Sequence, residues 1–239
     1  MRAAALVALA ACGSAPATGD DVDAATDGHA IDAGHADGHV APHPDAHITP
    51  PPDAMTIPPN GKRVFVTSQR YPADLRTAGG QATGRASADA ICQQLADASS
   101  LNGTFVAWLS TSDLDAIDHV TGPGPWYRMD GHMVFANRAN LGTVPPVAIT
   151  IDETLGMPDP YYESWTGTGL GGHHAPLGGR SSVTCNDWTT TVLSDAIGGM
   201  VGIFGDGFGD DVGHGPDWTE FTVGYCSPFA RHLYCFEQS

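Results

Sequence analysis

Positive charge is what this chain has least of. Its 239 residues carry 27 Asp and Glu against 10 Lys and Arg, for a formal net charge of −17. From Gly13 to Asn60 there are eight aspartates and no lysine or arginine. Phosphate recognition needs a positive face, so nucleic acid is excluded as an expected partner. Electrostatic attachment to anionic lipid heads is excluded for the same reason. The local exception is Lys62, Arg63, Arg70, Arg76 and Arg85, with only Asp74 among them; they are expected to form a solvated face rather than a sulfated-glycan site. Long apolar runs are missing as well. The longest, Ala3 to Ala11, is far too short to span a bilayer. Cysteine is scarce, five in all, and no two stand at the Cys-x2-Cys spacing of a structural zinc site. Gly-x-Ser-x-Gly and His-Glu-x-x-His are both absent. Asp152, Glu153 and Glu163 offer carboxylates for glycoside chemistry, but neighbours in an extended strand point to opposite faces. An enzyme is therefore not expected.

The N-terminus supplies a compartment. Met1-Arg2 precedes the apolar run, and Leu9-Ala-Ala-Cys12 resembles the lipobox of bacterial lipoproteins. That resemblance implies a signal peptide over residues 1–11, acylation of Cys12 and a lipid-anchored place in the cell envelope. Gly13 after the cysteine favours the outer membrane. Residues 12–60, dominated by Asp, Ala, Gly, His and Pro, cannot bury enough apolar area to offset ordering entropy and are expected to be a disordered linker. The linker histidines His29, His35, His39, His43 and His47 suit Zn, Ni or Cu, so weak metal binding is an alternative role. Export leaves Cys92, Cys185, Cys226 and Cys235 as an even set in an oxidising compartment, with three possible pairings.

Residues 61–239 read as one folded domain. Arg63-Val-Phe-Val-Thr67 has strand composition. Ser87 is the expected cap of a helix whose stripe is Ala88, Ile91, Cys92, Leu95 and Ala98. Thr104–Leu109 is a second strand, followed by a short helix around Ser112–His119. Trp126–Phe135 reads as a hairpin on the Asp130-Gly131 turn. Ala148–Ile151 and Ser164–Thr168 are further expected strands, and a Gly-rich loop region runs to about Gly215. The closing run His232–Phe236 is a buried strand. Helices early and strands late give an α+β fold with an antiparallel sheet.

Seven segments carry a family likeness: Lys62–Ser68, Ala88–Cys92, Phe105–Ser110, Asp130-Gly131, Trp165–Thr168, Cys185–Thr189 and Leu233–Gln238. Together they resemble a bacterial surface-lipoprotein domain compared to endostatin, with the C-type-lectin-like fold. The resemblance covers residues 61–239. It implies antiparallel sheets, one or two early helices, a long loop region and nested disulfides, Cys92 with Cys235 and Cys185 with Cys226. The family includes spirochaete lipoproteins that bind host matrix proteins and complement regulators. A cell-surface module binding an extracellular protein or glycan is therefore expected, with a structural envelope lipoprotein as the alternative. The Glu-Pro-Asn, Gln-Pro-Asp and Trp-Asn-Asp signatures of calcium-dependent sugar binding are missing.

Other candidates sit in the loop region. Asp206, Asp210, Asp211 and Asp217 could supply oxygen ligands to calcium, though the loop is not an EF-hand. Otherwise no cofactor is expected. Gly167–Gly172 matches the dinucleotide glycine pattern, but His173-His-Ala-Pro176 follows instead of a helix, so no phosphate cradle forms. Cys185-Asn-Asp-Trp188 is expected to be structural, Trp188 packing and Asn186 or Asp187 shaping a turn. Of Trp108, Trp126, Trp165, Trp188 and Trp218, most are core candidates, with one or two available to a ligand on the loop face.

Overall fold

An inner strand near the end of the chain organises the larger of two sheets. The computed structural model describes residues 56–158, 163–194, 196–204, 216–226 and 229–239. All fall within the unit Thr49–Ser239. Cys12, the five linker histidines, Asp206, Asp210 and Asp211 lie outside the described residues.

The strands are β1 (Lys62–Val66), β2 (Phe105–Ala107), β3 (Trp126–Arg128), β4 (Met133–Phe135), β5 (Glu163–Trp165), β6 (Gly198–Ile203), β7 (Thr222–Tyr225) and β8 (Tyr234–Glu237). The helices are α1 (Leu75–Gly79), α2 (Gly84–Ala98) and α3 (Ala116–His119). A five-stranded sheet runs β2-β8-β1-β3-β4, and a three-stranded sheet runs β5-β6-β7. The fold is thus mixed α and β, with few helices and two sheets. One expectation needs correcting. The large sheet is not wholly antiparallel: β1 and β3 pair in parallel, Lys62 against Trp126 and Val64 against Arg128. The chain leaves β1, builds α1, α2, β2 and α3, and returns alongside β1 in the same direction.

Alternation along the strands separates two cores. Phe65, Phe105, Ala107 and Cys235 face α2, packing on Ala88, Ile91, Cys92 and Ala96. Val64, Val66, Tyr234 and Phe236 face the other way into an aromatic cluster with Trp108, Trp126, Phe135 and Trp218. Every residue of β8 is buried, because strands flank it on both edges and side chains cover both faces.

Two disulfides cross-link this frame. Cys92 on α2 joins Cys235 on β8, and Cys185 joins Cys226 beyond the small sheet. These are the pairings the family likeness implies. The five tryptophans are all fully buried, so none is left on the surface to stack against a ligand.

Two local expectations also fail. Thr83, not Ser87, caps α2: its Oγ1 accepts from the Ala86 N–H at 3.2 Å. Ser87 is buried one turn in, where its hydroxyl accepts from the Gln81 N–H and so ties off the loop after α1. Ala148–Ile151 forms no strand. β8 and β3 already hold the two edges of β1, and only the Val66 N–H reaches past them to the Ile151 carbonyl.

No helix among the described residues is long and apolar enough to cross a membrane.

Candidate functional site

Among the described residues, Cys185–Trp188 has the least ordinary backbone. Four consecutive residues other than glycine have positive φ: Cys185 at 47°, Asn186 at 51°, Asp187 at 54° and Trp188 at 62°. They make one turn of left-handed helix, closed by the Trp188 N–H donating to the Thr184 carbonyl at 2.7 Å. L-residues resist this geometry by about 1–2 kcal/mol each, Asn and Asp least of all. The surroundings must hold the turn in place.

Three of its four side chains do so. Cys185 is anchored by the bond to Cys226. Trp188 is buried against Trp165, and its indole N–H donates to the Ser110 carbonyl at 2.9 Å. The Asp187 carboxylate accepts from the Ser112 N–H at 2.7 Å, from the Ser112 hydroxyl at 2.6 Å and from Thr184 Oγ1 at 3.2 Å. Backbone contacts finish the clamp. The Asn186 N–H donates to Ser182 Oγ and the Asn186 carbonyl accepts from Thr189 Oγ1. The Asn186 carboxamide has no partner among the described residues.

Asn186 lines an open groove of about 380 Å³. The remaining walls are Ser112, His174, Leu177, Ser181, Ser182, Thr184 and Asp187. The volume falls in the usual range for small-ligand sites, but the lining is far more polar than usual. A fixed loop presents His174. Asp115, at the start of α3, accepts from the His174 N–H at 2.6 Å and lies 2.7 Å from His173 Nδ1. Burial alone would raise the Asp115 carboxyl; the hydrogen bonds and charges of the two histidines outweigh it and hold the pKa below the usual range. Asp115 is therefore a fixed negative charge beneath the His173–His174 loop.

The other sequence candidates meet different ends. Asp217 lies exposed in the short helical turn Pro216–Trp218. Among the described residues no group of His, Cys, Asp or Glu is placed to hold a metal. Asp152 accepts from the Thr154 and Gly156 N–H groups and closes its own loop. Glu153 accepts from Ser68, and Glu163 pairs with Arg231 at 2.7 Å. The basic run is broken up: Arg63 pairs with Glu237 at 2.7 Å, and Arg85 lies 3.4 Å from Asp113. Gly167–Gly172 is a loop with Gly167, Gly171 and Gly172 at positive φ, and no helix follows it.

Sequence reasoning expected Asn186 or Asp187 to shape a turn but missed the groove. Ser112 and Asp187, whose contact makes it, are 75 positions apart. No family model matches the chain and no curated protein matches its sequence, so the chemistry of the groove rests on its own geometry.

Proposed function

We propose that this chain is a cell-surface lipoprotein, anchored through Cys12, whose residues 61–239 form a C-type-lectin-like, endostatin-like binding module for an extracellular glycan or protein. The observation that carries the proposal is the nested bracing. One disulfide ties the first long helix to the last strand, and the second, inside it, fixes a strained turn at the lip of a solvent-facing groove. A chain stores backbone strain where the surroundings over-determine it, and such places are commonly binding sites. The one carboxylate in the groove lining, Asp187, is committed to the Ser112 N–H, the Ser112 hydroxyl and Thr184 Oγ1 in holding the turn, which favours capture over catalysis.

The test applies the full oxidised chain to an array of neutral oligosaccharides, sulfated oligosaccharides and purified extracellular matrix proteins. Saturable binding to at least one probe is expected, and it should be lost when residues 168–218 are replaced while the five-stranded sheet stays folded by circular dichroism. Binding that survives the replacement, or no saturable binding to any probe, overturns the proposal in favour of a purely structural envelope role.

A further inference from the structure

We infer that the groove beside Cys185–Trp188 is a site for a neutral saccharide, with Asn186 and His174 as its hydrogen-bonding residues. This assignment rests on the binding-module reading above and names the ligand class and the residues.

The inference starts from an asymmetry within the turn. Cys185, Asp187 and Trp188 each hold the strained backbone through their side chains. Asn186 contributes no side-chain hydrogen bond to that clamp; among the described residues it bonds through its backbone N–H and C=O, to Ser182 and Thr189. Glycine would serve this backbone at no steric cost. What asparagine adds is a carboxamide, one acceptor and two donors, fixed at the groove wall by a backbone with little freedom. Such a group can accept from one hydroxyl and donate to its neighbour, the pattern a vicinal diol requires.

The rest of the lining fits the same ligand. His174 faces the groove with its N–H anchored to Asp115 and its imidazole without a hydrogen-bond partner among the described residues. The hydroxyls of Ser112 and Ser181 donate to Asp187 and to the Ala196 carbonyl, which leaves their oxygens able to accept. Leu177, about half exposed, offers an apolar surface for the C–H face of a sugar ring.

Charge decides between classes of glycan. The lining carries the Asp187 carboxylate and no Lys or Arg, and Asp115 lies just behind His174. A sulfated or carboxylated sugar would enter against these negative charges, whereas a neutral one would not. No Trp, Tyr or Phe is among the described residues that line the groove, which implies weak binding that repeated presentation on a surface would strengthen.

The experiment titrates the full oxidised chain with maltotriose, cellotriose, diacetylchitobiose, a heparin-derived hexasaccharide and purified extracellular matrix proteins, read by NMR shift perturbation and calorimetry. Two variants accompany it. Asn186→Gly removes the carboxamide while easing the strained backbone, so it folds at least as well as the parent. His174→Ala leaves the Asp115 contact to the backbone N–H intact. Saturable binding of a neutral probe, weakened about tenfold in each variant, is the expected result. A neutral probe that binds equally well to both variants overturns the site. Binding of only the sulfated probe or of a matrix protein overturns the saccharide assignment but leaves the module reading standing. If no saccharide or protein probe binds, both fall.

Discussion

At the scale of single residues, Gly84 shows how tightly the strained turn is held. It opens α2 with its Cα facing Cys185–Trp188. A Cβ built there would stand 2.3 Å from the Asp187 carbonyl oxygen and 2.5 Å from Trp188 Cβ. Both are atoms with little room to retreat, being part of the turn's own backbone and of a buried ring's stem. In an open helix, Gly→Ala would add up to about 1 kcal/mol of stability. Here the sign should reverse. Gly84→Ala is predicted to destabilise the protein by about 2–3 kcal/mol, because helix or turn must shift to relieve overpacking. Thermal unfolding checks this, and a variant as stable as the parent would mean that helix and turn are not in close packing. Nothing in the sequence distinguished Gly84 from its neighbours Gly79 and Gly80. Its importance comes from a contact with Asp187 and Trp188, more than 100 positions away, which periodicity and capping rules do not see.

At the scale of elements, the β3–β4 hairpin does more than reverse the chain. Its Asp130-Gly131 turn was legible because glycine takes the left-handed position, at φ 91°. The stretch that leans on it was not legible. Arg128 reaches out of β3 to donate to the Ala148 carbonyl at 3.0 Å and to Thr150 Oγ1 at 2.8 Å. The β-rich stretch Ala148–Ile151 is thus fastened by a guanidinium instead of a ladder, and composition alone made it look like a strand. Asp130 orients that guanidinium through a two-pronged pair, 2.9 Å to Nε and 2.7 Å to Nη2, with His132 Nδ1 at 3.2 Å. Partial burial by itself would raise the Asp130 carboxyl. The bonds and charge of Arg128, helped by His132, outweigh this and hold the pKa at about 2. The folded value lies below the unfolded one, roughly 4. The stabilisation is therefore complete above about pH 4 and lost as pH falls towards 2. Allowing for solvent around the half-open pair, it amounts to about 1–2 kcal/mol. Asp130→Asn should be less stable than the parent by that amount at neutral pH, and the two denaturation curves should converge as pH approaches 2. A gap that persisted unchanged into acid would remove Asp130 as the titrating group.

At the scale of the whole molecule, the two disulfides have separate jobs. The sequence supplied the four cysteines, and a family likeness their pairing. What each bridge holds became visible only from the sheets. Cys92–Cys235 closes 143 positions and ties α2 to the strand that lies between β1 and β2. Cys185–Cys226 closes 41 positions and joins the strained turn to the end of β7. Chain-entropy estimates give upper bounds of about 5 and about 4 kcal/mol, so by this measure alone the bridges look alike. Both lie in one buried cluster, with Phe65, Ile91, Phe105, Trp165 and Trp188. Their tasks differ. Only the second opposes the left-handed strain of four residues, and on the far side of the neighbouring β6–β7 hairpin the apolar cluster is small, Ala175, Val183 and Met200. Replacing Cys185 and Cys226 together by serine should therefore act locally. Hydrogen exchange is expected to rise across residues 163–204 and 216–226, the turn should relax, and the slow-exchanging amides of β1 and β8 should stay protected. Replacing Cys92 and Cys235 should lower protection throughout the five-stranded sheet, because it removes the covalent tie between the inner strand β8 and the helix that covers it. Uniform loss of protection in both variants would show that the small sheet and the large one unfold as a single unit, and that the inner bridge has no local role in holding the groove.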